Sequence, residues 1–191
     1  MPSAFEVLGH DHEQVKGMLA EFEAGRTAAT GASETQLASR KKMAEQLVIA
    51  ESQHEAVEEM YFWPVVRERV PGGGRLADQA TGEEQEAKGV LNKLDKLDAD
   101  QPEFEQLLSE FIKAGREHIA FEESQVWPAL RPVLTEQEAL ELGSKLERGK
   151  KTAPTRPHPH TPAKPGVLKA AGPAAAAADR ARDAAGGRGQ H

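Results

Sequence analysis

Residues 54–67, HEAVEEMYFWPVVR, return at 118–131 as HIAFEESQVWPALR, both copies reading H-x-x-x-E-E, then Trp-Pro, then Arg after two more residues. Any fold for this chain must give the two copies equivalent surroundings. His54 and Glu58 are four apart, so on a helix they stack on one face about a turn from each other, as do His118 and Glu122. The rest of each face is apolar, which turns it toward a core. A single H-x-x-x-E would be an ordinary pair of helix residues. Two copies with the same flanking Glu, Trp, Pro and Arg ask for a buried partner, because an unpaired buried carboxylate costs several kcal/mol. Apolar residues occupy the places where a Lys or Arg would have to stand, so a metal ion is the economical partner.

The remaining pattern of residues 1–149 is helical too, since apolar residues recur at spacings of three and four and nowhere alternate over a strand's length. Ser3 with Glu6 reads as a capping box opening a helix whose face runs Phe5, Leu8, His12, Val15, Leu19 and Phe22 until Gly25 stops it. Ser33 with Gln36 opens a second helix, which passes Leu47, His54 and Glu58 and reaches about Val70, ahead of Pro71-Gly72-Gly73-Gly74. A third spans roughly 76–97. The fourth starts at Asp100-Gln101-Pro102-Glu103 and runs through Phe111 and His118 to about Leu134, and Thr135 with Glu138 caps a short fifth. Long amphipathic helices joined by short connections predict an all-α, antiparallel up-down-up-down four-helix bundle. Pro64 and Pro128 lack a backbone donor and are expected to kink or end their helices just past the repeated Glu pair. Trp63, Trp127, Phe62 and Phe121 read as bundle packing. In Glu83-Glu84 and Glu122-Glu123, one carboxylate is expected to face inward and its neighbour to face water.

Composition changes at Lys150. Residues 150–191 carry alternating Pro, an Ala run, Gly pairs and no aromatic residue, and such a segment cannot bury enough apolar surface to offset its ordering entropy. The expected organisation is a bundle over 1–149 and a disordered basic tail over 150–191. His158 and His160, flanked by Pro and without a third ligand, read as linker rather than metal site. The tail holds eight Lys/Arg and two Asp, leaving 16 basic and 29 acidic residues in the body. An acidic body repels phosphate backbones, so no nucleic-acid partner is expected. There is no Cys, which removes disulfides, thiolate zinc, iron-sulfur ligation and a thiol nucleophile. No run approaches the ~20 apolar residues of a membrane span. The N-terminus carries acids where a signal peptide carries basic and apolar residues, so a cytoplasmic protein without a membrane partner is expected.

On the first helix His12 shares the Leu8, Val15, Leu19 stripe while His10 falls on the side, which adds His12 to the candidate ligands. The motifs D-H-x-x-V-K at 11–16 and H-x-x-x-E-E-x-x-x-W-P at 54–64 and again at 118–128 resemble those of the hemerythrin-like family, the HHE cation-binding domain, over residues 1 to about 135. That resemblance implies a four-helix bundle around two non-haem iron ions with an oxo or hydroxo bridge, also bridged by two Glu and open at one iron to dioxygen, peroxide or nitric oxide. By motif position it assigns ligand roles to His12, His54, Glu58, His118 and Glu122.

The chain departs from the family at helix 3, where a His is expected four residues before a Lys. Matching Lys88-Gly89 to Lys16-Gly17 puts Glu84 at that place, on the Ala80, Ala87, Leu91 stripe, with Gln85 turned about 100° away. Either Glu84 serves as an oxygen ligand or one iron is a ligand short. Tyr61, the chain's single tyrosine, is three residues past Glu58 where the other copy has Gln125. It reads equally as a core aromatic or as a phenolate ligand, since a ferric ion lowers a phenol's pKa far below its free ~10. Anionic oxygen ligands favour the ferric state, which argues against reversible dioxygen carriage and for peroxide reduction or disproportionation, in a peroxidase or catalase-like enzyme. The alternative is a non-catalytic module that senses or buffers dioxygen, nitric oxide or iron.

Overall fold

A computed structural model describes residues 1–161 and 165–188 of the chain, without the side chains of 165–171. Its α-helices are α1 (Ala4–Ala24), α2 (Glu34–Val57), α3 (Trp63–Arg69), α4 (Gly73–Leu94), α5 (Pro102–Phe121), α6 (Trp127–Leu130), α7 (Glu136–Lys150) and α8 (Pro165–Gly186). Reciprocal capping boxes open three of them where the sequence predicts: Ser3 with Glu6, Ser33 with Gln36 and Thr135 with Glu138. Each box satisfies two helix-end donors and contributes about 1 kcal/mol. α5 starts on Pro102, whose missing N–H belongs among the donors a helix start leaves unpaired, and its N-cap is Gln101.

α1 packs on α2 and α5, and α4 packs on the same two, so the four long helices close a ring around one interior. At one end Arg40 of α2 donates Nε and Nη2 to the Glu105 carboxylate of α5 at 2.6 and 2.7 Å and Nη1 to the Phe22 carbonyl of α1, tying three helices. Two apolar clusters fill the ring, one around Phe5, Leu8, Trp63, Val66 and Trp127, the other around Val15, Phe22, Leu47, Phe104 and Phe111. Between them lies a polar layer. On α1, His12 falls between Leu8 and Val15, and on α4, Glu84 falls between Ala80 and Leu91. α7 lies across α1 and α2, brought close by two glycines: a Cβ at Gly143 would stand 2.3 Å from the Pro2 carbonyl, and one at Gly149 would stand 2.7 Å from the Tyr61 ring.

The repeated Trp-Pro does not stop the helices. Each copy passes through one π-helical segment, Glu58–Phe62 and Glu122–Val126, before α-helical geometry resumes in α3 and α6. In these segments the Trp63 N–H reaches back to the Glu58 carbonyl and the Trp127 N–H to that of Glu122. A proline lacks an N–H and its ring crowds the carbonyl four residues back, so a wider turn just ahead of it relieves the crowding. The same sequence produces the same departure twice, and both begin at the repeated Glu.

Beyond α7, residues 151–161 carry no regular helix, and Pro165–Gly186 is helical. A segment read from composition as disordered therefore holds a helix, because the Ala run that buries little also has the highest helix propensity. It is tied to the bundle by ions rather than by apolar surface. Arg156 bridges Asp183 and Asp95, Arg188 joins Asp95, and His158 Nε2 meets Asp179 at 2.9 Å. Among the described residues no helix is long and apolar enough to cross a membrane.

Candidate metal centre

The polar layer holds two groups of potential ligand atoms, each within 4.8 Å of one another: His12, His54, Glu58 and Glu122, and Glu58, Glu84, His118 and Glu122. Glu58 and Glu122 belong to both. Each is fully buried and stands at the first residue of its π segment, so the two copies of the sequence repeat present their carboxylates to each other across the bundle. α1 adds His12 to one group and α4 adds Glu84 to the other. Six of the seven residues expected from sequence thus converge.

Their atoms crowd without bonding. His118 Nε2 lies 3.0 Å from Glu122 Oε1, His54 Nε2 3.2 Å from Glu58 Oε2, and His12 Nε2 3.5 Å from Glu122 Oε2. None of the three has hydrogen-bond geometry: both oxygens of Glu58, both of Glu122, Glu84 Oε2, and the Nε2 atoms of His12 and His118 are buried without a hydrogen-bond partner. Orphaned buried polar atoms each cost about 1–3 kcal/mol, and more when charged. Seven of them facing one point are a donor set for cations, and His with carboxylate suits iron, manganese or zinc.

The far side of each imidazole is occupied. His54 Nδ1 meets Asp11 at 3.3 Å, His118 Nδ1 meets Glu83 at 2.9 Å and His12 Nδ1 meets Glu123 at 3.0 Å. A carboxylate on Nδ1 fixes the ring and leaves Nε2 free to bind, the arrangement metal-ligating histidines adopt. Asp11 is itself paired with Lys150, and Glu123 with Lys16 at 2.8 Å. Glu84 has no ring nitrogen to offer, and its Oε1 instead accepts from Trp63 Nε1 at 2.5 Å. The corresponding Trp127 stacks on His12, ring centroids 5.0 Å apart.

These outer partners correct the sequence reading at two places. Glu83 and Glu123 do not merely face water; they orient His118 and His12. A buried cation also exists: Lys88 of α4 donates to Glu59 at 2.5 Å and stands 4.0 Å from Glu55. The D-H pair at 11–12 and the E-E pairs carried the signal, because each puts an acid beside a ligand position. Tyr61 lies half-buried in the first π segment with its ring against Gly149. The next residue, Lys150, bonds Asp11, so the ring is on the His54 side of the centre.

The charges are those of a site built for a cation. Burial pushes Glu84 well above the ordinary carboxylate range and the Glu58 charge adds to it; Glu58 is raised by burial and by Glu122. Glu122 is also buried, yet His118 and His12 hold it well below that range. His54 and His118 keep their protons to unusually high pH, burial being outweighed by Glu58 and Asp11 for one and by Glu122 and Glu83 for the other. The surplus of carboxylate draws in protons, and a multivalent cation displaces them.

A profile of the hemerythrin HHE cation binding domain matches residues 3–130. An uncharacterized hemerythrin-like protein of Schizosaccharomyces pombe is 34% identical over 133 residues, covering 69% of this chain and 66% of its own length. The fold is similar to the crystal structure of a hemerythrin HHE cation binding domain-containing protein from Mycobacterium kansasii, with a TM-score of 0.65 at 24% identity over 79% of this chain and 86% of that one. With its paired motifs, its bundle and its converging His and Glu residues, the chain belongs to the hemerythrin HHE cation binding domain family, as a metal-binding, hemerythrin-like module.

Proposed function

We propose that the centre holds two iron ions, bridged by Glu58 and Glu122, and that the protein reduces or disproportionates hydrogen peroxide in the cytoplasm. The observation that carries this reading is the sharing of Glu58 and Glu122 between two ligand groups. His12 and His54 would hold one ion, His118 and Glu84 the other. Bound iron supplies Lewis acidity and electrons for breaking an O–O bond. The chain's own residues do the rest: Asp11, Glu83 and Glu123 hold the imidazoles, and buried Trp63 and Trp127 keep bulk water out. Glu84, whose Oε2 is unpaired, is placed to pass a proton at the open side. An anionic oxygen in place of an imidazole favours the ferric state, which suits turnover better than carriage.

Metal analysis of the full chain, followed by peroxide consumption, tests the proposal. The expected result is about two irons per chain and turnover that Glu122→Ala abolishes. Two irons with dioxygen or nitric oxide binding but no turnover would assign the chain to sensing or buffering, and no iron would end both readings. Tyr61 is the further proposed ligand, as phenolate on the His54 side. Loss of the visible absorption band in Tyr61→Phe is the expected outcome, and an unchanged band assigns Tyr61 to packing against α7.

A further inference from the structure

Two cavities reach the centre from opposite sides, and their linings differ in charge. One, about 290 Å³, lies on the α1–α2 side, and its acid, Asp11, is already paired with Lys150 and His54 in the same wall. The other, about 200 Å³, lies between α4 and α5, and no Lys or Arg lines it. Glu86, Glu110 and Glu117 stand exposed at its rim. Buried Glu51 and Glu55 follow inside, and it ends on Glu84 and His118. Glu55 Oε2 and Glu84 Oε2, on side chains 2% and 1% exposed, have no hydrogen-bond partner and line this cavity. Such atoms suit a passing ligand that accepts lone pairs, which a hydrated divalent cation does and peroxide, dioxygen or an anion does not.

We propose that the cleft between α4 and α5 is the route by which divalent cations reach the centre, gathered at the rim by Glu86, Glu110 and Glu117 and handed inward by Glu51 and Glu55 to Glu84 and His118. The proposal rests on the metal-centre reading above. A cleft lined by one sign of charge between low-dielectric walls focuses its field and raises the arrival rate of the opposite charge by about 10- to 1,000-fold. The rim residues lie outside the ligand groups, so they set how fast the ion arrives and not how many are held. The repeat has no counterpart for this: the residue matching Glu55 in the second copy is Ile119. The asymmetry gives the centre one acidic entrance, on the Glu84 side.

Isotope exchange tests the route without relying on activity. Iron-loaded, reduced full-length protein is mixed anaerobically with excess ferrous ion of a heavy isotope, and incorporation is followed by mass spectrometry at rising salt. In Glu86→Gln/Glu110→Gln/Glu117→Gln, exchange is expected to slow about tenfold and to lose most of its salt dependence, with total iron unchanged. Ala114→Trp, which narrows the same cleft without changing charge, is expected to slow exchange and keep the salt dependence. Normal iron content with unaltered exchange in both variants overturns the route and leaves the centre standing. An unaltered protein that holds no iron overturns both.

Discussion

The half of the centre built on α1 and the half built on α4 are the same design with one residue changed. His54 with Asp11 corresponds to His118 with Glu83, Glu58 to Glu122, and the Lys16–Glu123 pair to Lys88–Glu59. The change is His12 to Glu84, and its effects spread outward. In the α1 half Glu123 serves both Lys16 and the His12 Nδ1, while in the α4 half Glu59 serves Lys88. Trp127 lies flat on the His12 ring and its Nε1 has no partner, whereas Trp63 aims its Nε1 at Glu84. A ligand's identity is thus written into the side chains behind it, and one substitution at position 84 would leave Trp63 without an acceptor.

The largest effect is expected where the halves meet. Glu58→Ala or Glu122→Ala removes a carboxylate from both groups, so iron is expected to fall from about two per chain to near zero, with several kcal/mol of metal-linked stability lost. Retention of one tightly held ion would mean that the halves are independent. Next come the groups behind the imidazoles. Asp11→Ala and Glu83→Ala are each expected to weaken metal binding by about 10- to 100-fold, and competition with a chelator would reveal whether the two are as alike as their geometry.

The tryptophans break the symmetry directly. Trp63→Phe removes the donor to Glu84, a charge-assisted hydrogen bond of about 1.5–3 kcal/mol, and should loosen metal in the α4 half. Trp127→Phe gives up no hydrogen bond and should retain normal content; equal losses would contradict the assignment. The smallest effect is a pH dependence carried by Glu55. Burial, only partly offset by Lys88, raises its pKa from 4.5 to about 8. The folded chain keeps this proton up to about pH 8 while the unfolded chain releases it near 4.5, so metal-free stability falls as pH rises through that window. Glu55→Gln should flatten the fall, with a net gain on the order of 1 kcal/mol at pH 8, measured by denaturant melts of chelator-treated protein. A curve as steep as that of the unaltered chain would place the proton elsewhere.

Much of this was legible in the chain. Helical spacing and caps gave the bundle, and the repeat gave His54, Glu58, His118 and Glu122, because a carboxylate stacked with an imidazole on a buried face, twice over, needs a cation to offset its burial. Glu84 was legible through Lys88-Gly89. The outer partners were not, since Glu83 and Glu123 look like surface acids until the neighbouring helix brings an imidazole to them. Lys88 was missed as a buried cation for the same reason: its partner Glu59 lies on another helix. The helix in the tail was obscured because low apolar content argues against burial while the same alanines favour helix, and composition cannot weigh a tie made by Arg156, Arg188 and Asp95.

The π segments have a consequence for how such a centre can be altered. Each residue of an α-helix advances roughly 100°, so an extra residue in the turn that starts at Glu58 shifts the phase of everything after it, Trp63 included, relative to everything before it. Deleting one residue from 59–62 would leave His54 and Glu58 where they are and swing Trp63 away from Glu84. Chain length is therefore a control separate from residue identity. A shortened copy keeps its grip on the ion and exchanges the wall around it, something no single replacement in either copy can do.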